Sequence, residues 1–162
     1  MDNKEVAAVL NDLVRICKDG VEGYSLAAKE ATSTGLKALL SSYVEQRSRF
    51  ADELQSEVER LGWKPETDGS VAGNLHRTWM AVKSVVTNRD DAAILAECET
   101  GEQVAVETYE MALRHKDLPP RSLSAIERQY NLIVSGRNSM NVLHDQTNLL
   151  QFFIRFFITD AT

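Results

Sequence analysis

Three prolines and eight glycines in 162 residues leave too few chain breakers to punctuate a many-stranded sheet. Two cysteines, Cys17 and Cys98, are too few for a disulfide scaffold, and they lack metal-ligand spacing. No apolar run approaches the roughly 20 residues that a membrane-spanning helix needs. The stretch from Met1 to Gly20 lacks the cationic, apolar and small-residue order of a secretion signal. A reducing cytoplasm is therefore the expected compartment. No face concentrates positive charge: the formal net charge is -6, the pI is about 5.1, and both signs are interspersed, which argues against a broad nucleic-acid surface. Gly-rich phosphate loops, a Gly-x-Ser-x-Gly elbow and Cys-x-x-Cys pairs are all missing.

What the chain does contain is apolar periodicity in steps of three and four. Val6, Leu10, Leu13, Cys17, Gly20, Tyr24, Ala27 and Ala31 predict a first helix from about Lys4 to Thr32. Leu36, Leu40, Tyr43, Arg47, Phe50, Leu54 and Leu61 predict a second, stopped by Gly62. After a polar loop containing Pro65, Ser70 is placed to cap a shorter helix with Val71, Leu75, Trp79, Val82 and Val86 on one face. A third long helix is predicted from Asp90 or Asp91, with Leu95, Cys98, Glu102, Ala105, Tyr109 and Ala112 as its seam. A fourth follows Leu118-Pro119-Pro120 from Arg121 or Ser122, with Leu123, Ile126, Tyr130, Ile133, Arg137, Met140 and His144 as its seam. The expected fold is all-α: an antiparallel four-helix bundle over residues 1–147, with a short extra helix in the long connection at about 63–89, and an apolar tail over 148–162. Two hairpins joined by one long crossover is a ferritin-like layout. Cys17-Lys-Asp-Gly20 and Cys98-Glu-Thr-Gly101 hint at a repeat between the two hairpins.

Three segments carry a more specific resemblance. They are Asp68-Gly-Ser-Val-Ala-Gly-Asn-Leu-His-Arg-Thr-Trp-Met80, Ala93-Ile-Leu-Ala-Glu-Cys-Glu-Thr-Gly-Glu102, and Leu118-Pro-Pro120 with Glu127-Arg-Gln-Tyr130. Together with Leu10-Asn-Asp-Leu13 and Asp19-Gly-Val-Glu-Gly-Tyr24, they resemble an uncharacterised bacterial family of ferritin-like bundles, domain of unknown function 2383. The resemblance spans about Lys4 to Leu143 and implies a fold, with no activity or catalytic residue attached. The chain departs from that pattern at its end, where Leu149-Leu-Gln-Phe-Phe-Ile-Arg-Phe-Phe-Ile158 stands in place of a charged last turn.

Ferritin-like carboxylate enzymes need Glu-x-x-His on two of their helices, because residues three apart point the same way and share a metal ion. Gly73, Ala112 and Asn141 stand three positions before His76, His115 and His144, so that motif is missing. A site of carboxylates alone, drawn from Glu22, Glu53, Glu99, Glu102 and Glu127, would still suit iron or manganese. Their plainer reading is as solvated or ion-paired glutamates. No cofactor is expected.

Charged residues at seam positions are more telling, because an isolated buried charge is very costly. Arg47 and Glu102 are expected to pair near mid-height beside Gly20, with Tyr24, Tyr109 or Tyr130 as hydrogen-bond donors and Arg137 as a further member of the buried layer. The alternative is that either charge snorkels outward on its stem. Cys17 and Cys98 are placed to face one another, as a redox pair or, more simply, as small core residues. His76, beside Arg77 and Trp79, either marks a ligand pocket or is exposed.

In the tail, Phe152, Phe153, Phe156 and Phe157 lead an apolar surface large enough to drive association. It would extend the fourth helix into a homo-oligomeric contact, fold back over the bundle, or rest on a membrane surface. The functional expectation is a non-catalytic bundle acting through self-association or partner binding. Two alternatives stand beside it: a carboxylate-only metal or oxidase-like protein, and a peripheral membrane protein held by the tail.

Overall fold

A computed structural model of the chain describes residues 1–69 and 90–158, the last two by backbone alone. Four long helices make the body: α1 (Asn3–Glu30), α2 (Thr34–Arg60), α3 (Asp91–Leu113) and α4 (Pro120–Phe153), the last running on into a π-helical turn, Ile154–Ile158. No strand occurs among the described residues. The short helix expected from Ser70, with its Trp79, and His76 lie outside the described residues.

Each helix begins for a local chemical reason, and α2 also ends for one. Asp2 accepts from the Glu5 amide at 2.8 Å while Glu5 accepts from the Asp2 amide at 2.9 Å, a reciprocal capping box that opens α1. Ser33 caps α2, and Asp90 caps α3 by accepting from the Ala92 amide at 3.0 Å. Gly62, with φ 84°, takes the left-handed position that ends α2. Pro120 occupies the first turn of α4, where its missing N–H costs nothing.

The helices pair as α1 with α2 and α3 with α4, with further packing of α1 on α3 and of α2 on α4. Two tethers fix the directions. Asp91, at the start of α3, accepts from the Thr32 and Ser33 amides at 2.8 and 2.9 Å and from the Thr32 hydroxyl at 3.1 Å. The N-terminus of α3 therefore meets the turn that ends α1, and these two helices run antiparallel. At the opposite end, Ser122 at the start of α4 donates to Glu57 at the end of α2, at 2.8 Å. The chain must travel the length of the bundle between α2 and α3. It begins that journey over α1: Asn11 clasps the backbone of Lys64 and Glu66 at 3.2 and 2.9 Å, Gln55 donates to the Glu66 carbonyl at 2.6 Å, and Gly69 abuts Asp19.

The core is split in two. One cluster gathers Leu10, Leu13, Cys17, Phe50, Leu54, Tyr109, Ile126 and Ile133; the other gathers Tyr24, Ala27, Leu40, Tyr43, Leu95, Cys98 and Met140. Between them lies a buried polar layer.

The seam of α4 differs from the expected one. Ser122, Ile126, Gln129, Ile133, Gly136 and Met140 face inward, whereas Tyr130, Arg137 and His144 lie half-buried on the flank. The reason is steric. Tyr43 from α2 presses on Gly136, where an added Cβ would come within 3.1 Å of its ring. Only the face carrying glycine lets the two helices approach.

Candidate functional site

Arg47 on α2 and Glu102 on α3 meet at mid-height, each with a side chain only 2% exposed. One terminal nitrogen, Nη2, donates to both carboxylate oxygens at 2.5 and 2.7 Å. The Tyr24 hydroxyl from α1 donates to the same carboxylate, and its oxygen lies 4.0 Å from the Met140 sulfur of α4. The other terminal nitrogen of Arg47, Nη1, is buried with no hydrogen-bond partner among the described residues.

Gly20 makes this placement feasible, because a Cβ there would stand 3.1 Å from the Arg47 stem. The Phe50 ring adds a cation–π contact 5.7 Å from the guanidinium carbon. Burial alone would draw the guanidinium towards deprotonation. The adjoining Glu102 carboxylate outweighs that and holds Arg47 above the usual arginine range. Tyr24 is pushed well above a normal phenol, by burial first and then by the Glu102 charge. The Glu102 carboxyl thus sits between a guanidinium held in its charged form and a phenol held in its neutral form.

A second hydrogen-bonded line leaves this layer on its Cys17 side. Tyr109 donates to Gln129 Oε1 at 2.6 Å, so its single proton is committed and the Cys17 thiol, 3.3 Å away, is the donor to the phenol oxygen. Gln129 passes its own protons to Glu53 at 2.7 Å and to the Phe50 carbonyl at 3.4 Å. Glu53 is half-exposed and also pairs with Arg128. The line thus runs from a fully buried thiol to a carboxylate at the surface. Burial pushes Cys17 up to about 11, although Arg47 pulls the other way. Cys98 and Tyr109 are raised by burial too.

Several residues expected in the layer lie elsewhere. Tyr109 serves Gln129 rather than the ion pair. Tyr130 donates to Glu110 at 2.9 Å on the flank of α3 and α4. Arg137 donates to Gln103 at 3.0 Å near the surface. Cys17 and Cys98 are both free and buried, but they belong to different halves of the core. Each precedes the layer along its own helix, and because α1 and α3 run antiparallel, the matching positions end on opposite sides of it.

The sequence reading missed four buried polar residues: Asp19, Glu57, Ser122 and Gln129. Gln129 sits next to Tyr130, and a preference for the larger ring at that step of the repeat hid it. Glu57 is held below the normal carboxylate range, chiefly by two hydrogen bonds from Arg60 at 2.8 and 2.6 Å. Helix-end spacing alone would have flagged only that i, i+3 pair.

The candidate carboxylates do not converge. Glu22 and Glu127 are exposed; Glu53 faces Arg128 and Gln129; Glu99 is paired with His144 at 2.8 Å. Glu102 alone is in the core, and both of its oxygens are taken by a guanidinium. Among the described residues, no three His, Cys, Asp or Glu side chains are grouped to hold a metal ion. A di-iron or di-manganese centre does not suit this donor set. A cation at the level of Glu102 would have to displace or face the fixed positive charge of Arg47.

The family comparison is decisive at this point: Domain of unknown function (DUF2383) matches residues 5–115. The chain belongs to the DUF2383 family. Solved structures similar to this DUF2383 protein are ferritin-like. A two-domain protein from Anabaena variabilis, containing dj-1/thij/pfpi-like and ferritin-like domains, aligns with a TM-score of 0.73 at 15% identity. That alignment covers 91% of this chain and 38% of the other, so the chain spans well under half of that protein. A Dps1 mutant from Mycobacterium smegmatis aligns with a TM-score of 0.69 at 15% identity, over 88% of this chain and 96% of that one. A dodecameric thioferritin, the bacterioferritin-related protein of Bacteroides fragilis, aligns with a TM-score of 0.71 at 11% identity, covering 97% and 93%. At such identities the likeness establishes the fold alone. No curated protein matches the chain.

Proposed function

We propose that this DUF2383 protein is a non-catalytic ferritin-like bundle that works by association, its central layer filled by an ion pair where metal-dependent relatives of the fold keep their ligands. The observation that carries this reading is the two-oxygen engagement of Glu102 by Arg47. It commits the one carboxylate buried at mid-height to an internal cation. The layer then sets helix register: the pair is stable only when α2 and α3 stand at one height beside Gly20. The dodecameric assembly of the thioferritin-type neighbour and the exposed apolar end of α4 both support self-association.

The test is metal analysis of protein purified without chelator, with sedimentation analysis of the same sample. The expected result is iron and manganese far below one per chain in a self-associated protein. Stoichiometric iron or manganese that is lost in Glu102→Gln would overturn the reading in favour of a metal site.

A further inference from the structure

The two helical hairpins, α1 with α2 and α3 with α4, are stitched together by a row of carboxylates. At one end Asp91 of α3 accepts from the Thr32 and Ser33 amides and the Thr32 hydroxyl. At mid-height Glu102 of α3 takes Arg47 of α2 and Tyr24 of α1. Further along, Glu53 of α2 accepts from Gln129 at 2.7 Å and pairs with Arg128, both on α4. At the far end Glu57 of α2, its side chain 5% exposed, accepts from Ser122 at 2.8 Å and from Arg121 at 3.1 Å. Arg60 of its own helix donates to it as well. From Ser33 to Glu57 the row follows α2 for about 36 Å at the ordinary helical rise.

These contacts are strongest with the carboxylate ionised. Protonation leaves Asp91 a poor acceptor for three donors, and at Glu102 it strands the Arg47 guanidinium in the core. The hydrogen bonds from Arg60 and Ser122, with the charges of Arg60 and Arg121, hold Glu57 below the ordinary 4.5 despite its burial. Its contribution is present above that value and is lost as pH falls through the lower folded value.

Inside each hairpin the balance differs. Tyr109 donates to Gln129 at 2.6 Å and Arg137 to Gln103 at 3.0 Å, contacts between α3 and α4 that acid leaves intact. Glu99 with His144 and Glu110 with Tyr130 also join these helices, but half-buried on the flank. The α1–α2 hairpin is closed by a turn of only residues 31–33, whereas the connection between hairpins runs from 61 to 90. Re-forming the short closure costs less chain entropy than re-forming the long one.

We propose that this row is an acid-opened seam: on acidification the two hairpins part from one another while each stays helical and paired. The 18 lysines and arginines and the 3 histidines then repel across the seam with little negative charge left to offset them. Parting uncovers the apolar faces that Leu10 and Leu54 of one hairpin share with Ile126 and Ile133 of the other. The inference does not depend on self-association.

The experiment places nitroxide pairs on the full chain through introduced cysteines, Cys17 and Cys98 being buried, and dilutes labelled into excess unlabelled chain. Ser56→Cys with Ser124→Cys spans the cleft between α2 and α4. Thr100→Cys with Asp145→Cys spans the cleft between α3 and α4. As pH falls from neutral to about 2, the first pair should separate at a pH where the second keeps its distance and the helical circular dichroism is unchanged. Glu57→Gln should move that separation to higher pH, because the variant lacks a contribution that acid removes. Loss of both distances and of helicity in one transition would overturn the proposal. So would a first pair that keeps its distance down to about pH 2, or a Glu57→Gln chain that opens at the pH of the parent.

Discussion

Arg47 and Glu102 illustrate how a buried pair differs from a surface one. The attraction between them is largely offset by the cost of drying both ions, so their mutual presence adds little net stability, but removing one partner strands the other. Glu102→Ala should therefore cost about 3–5 kcal/mol in urea unfolding. Replacing both together, Arg47→Met with Glu102→Leu, should recover most of that loss. If the double variant is as unstable as the single, the charge-stranding argument is wrong.

The thiols give a pH dependence whose sign is fixed. Cys17 is raised in the folded protein from the ordinary 9.0 to about 11, and Cys98 shifts in the same direction, through burial and the Glu102 charge. Below the ordinary value both folded and unfolded chains keep the proton, and the stabilisation is fully present. Between about 9 and about 11 the unfolded chain releases protons that the native chain retains, so stability must fall as pH rises through that window. Unfolding free energies measured across it should decline, and Cys17→Ala should flatten part of the slope.

At the scale of elements, glycines decide how closely helices approach. At Gly20 and Gly136 a Cβ would crowd Arg47 and Tyr43 at 3.1 Å, whereas at Gly35 it would find its nearest atom, Ser33 Oγ, at 3.8 Å. Gly35→Ala should thus stabilise α2 by about 0.5–1 kcal/mol, and Gly20→Leu should destabilise by about 1–3 kcal/mol through overpacking. Thermal melts of the two variants should move in opposite directions. Asp91 is the comparable element-scale tether, since one carboxylate accepts three hydrogen bonds from the α1–α2 turn. Asp91→Ala should cost roughly 1–2 kcal/mol and speed hydrogen exchange at the Thr32 and Ser33 amides. Its place at the start of α3 was visible in the sequence as a helix-start carboxylate; its reach to a turn 59 residues away was not, because nothing local encodes a partner across the bundle.

For the whole molecule, assembly and stability are linked. Self-association that involves the folded chain and not the unfolded one makes the melting temperature rise with protein concentration. The chain should show that rise in melts over a hundredfold concentration range; a melting temperature independent of concentration would count against self-association. The sequence left the apolar stretch from Leu149 to Ile158 open between a homo-oligomeric contact, a fold back over the bundle and a membrane surface; the structure continues α4 through Phe153 into the π-helical turn Ile154–Ile158. The outward face of α4 became recognisable only once its inward residues were known, because that assigned Asn138, Ser139 and Val142 to the outside.

The sequence by itself determined the number of long helices, their boundaries and three of the four seams, because those follow from caps, breakers and a repeat of apolar positions that act within a few residues. It also placed Arg47 and Glu102 on seam positions. Only the tertiary structure decided that Gly136 rather than Arg137 faces Tyr43, that Gln129 rather than Tyr130 receives the Tyr109 proton, and that the two cysteines lie on opposite sides of the polar layer. Each of these turns on which neighbouring helix arrives, in which direction and how closely. Those are properties of packing between segments far apart in the chain, and a local repeat with a tolerance of one residue cannot fix them.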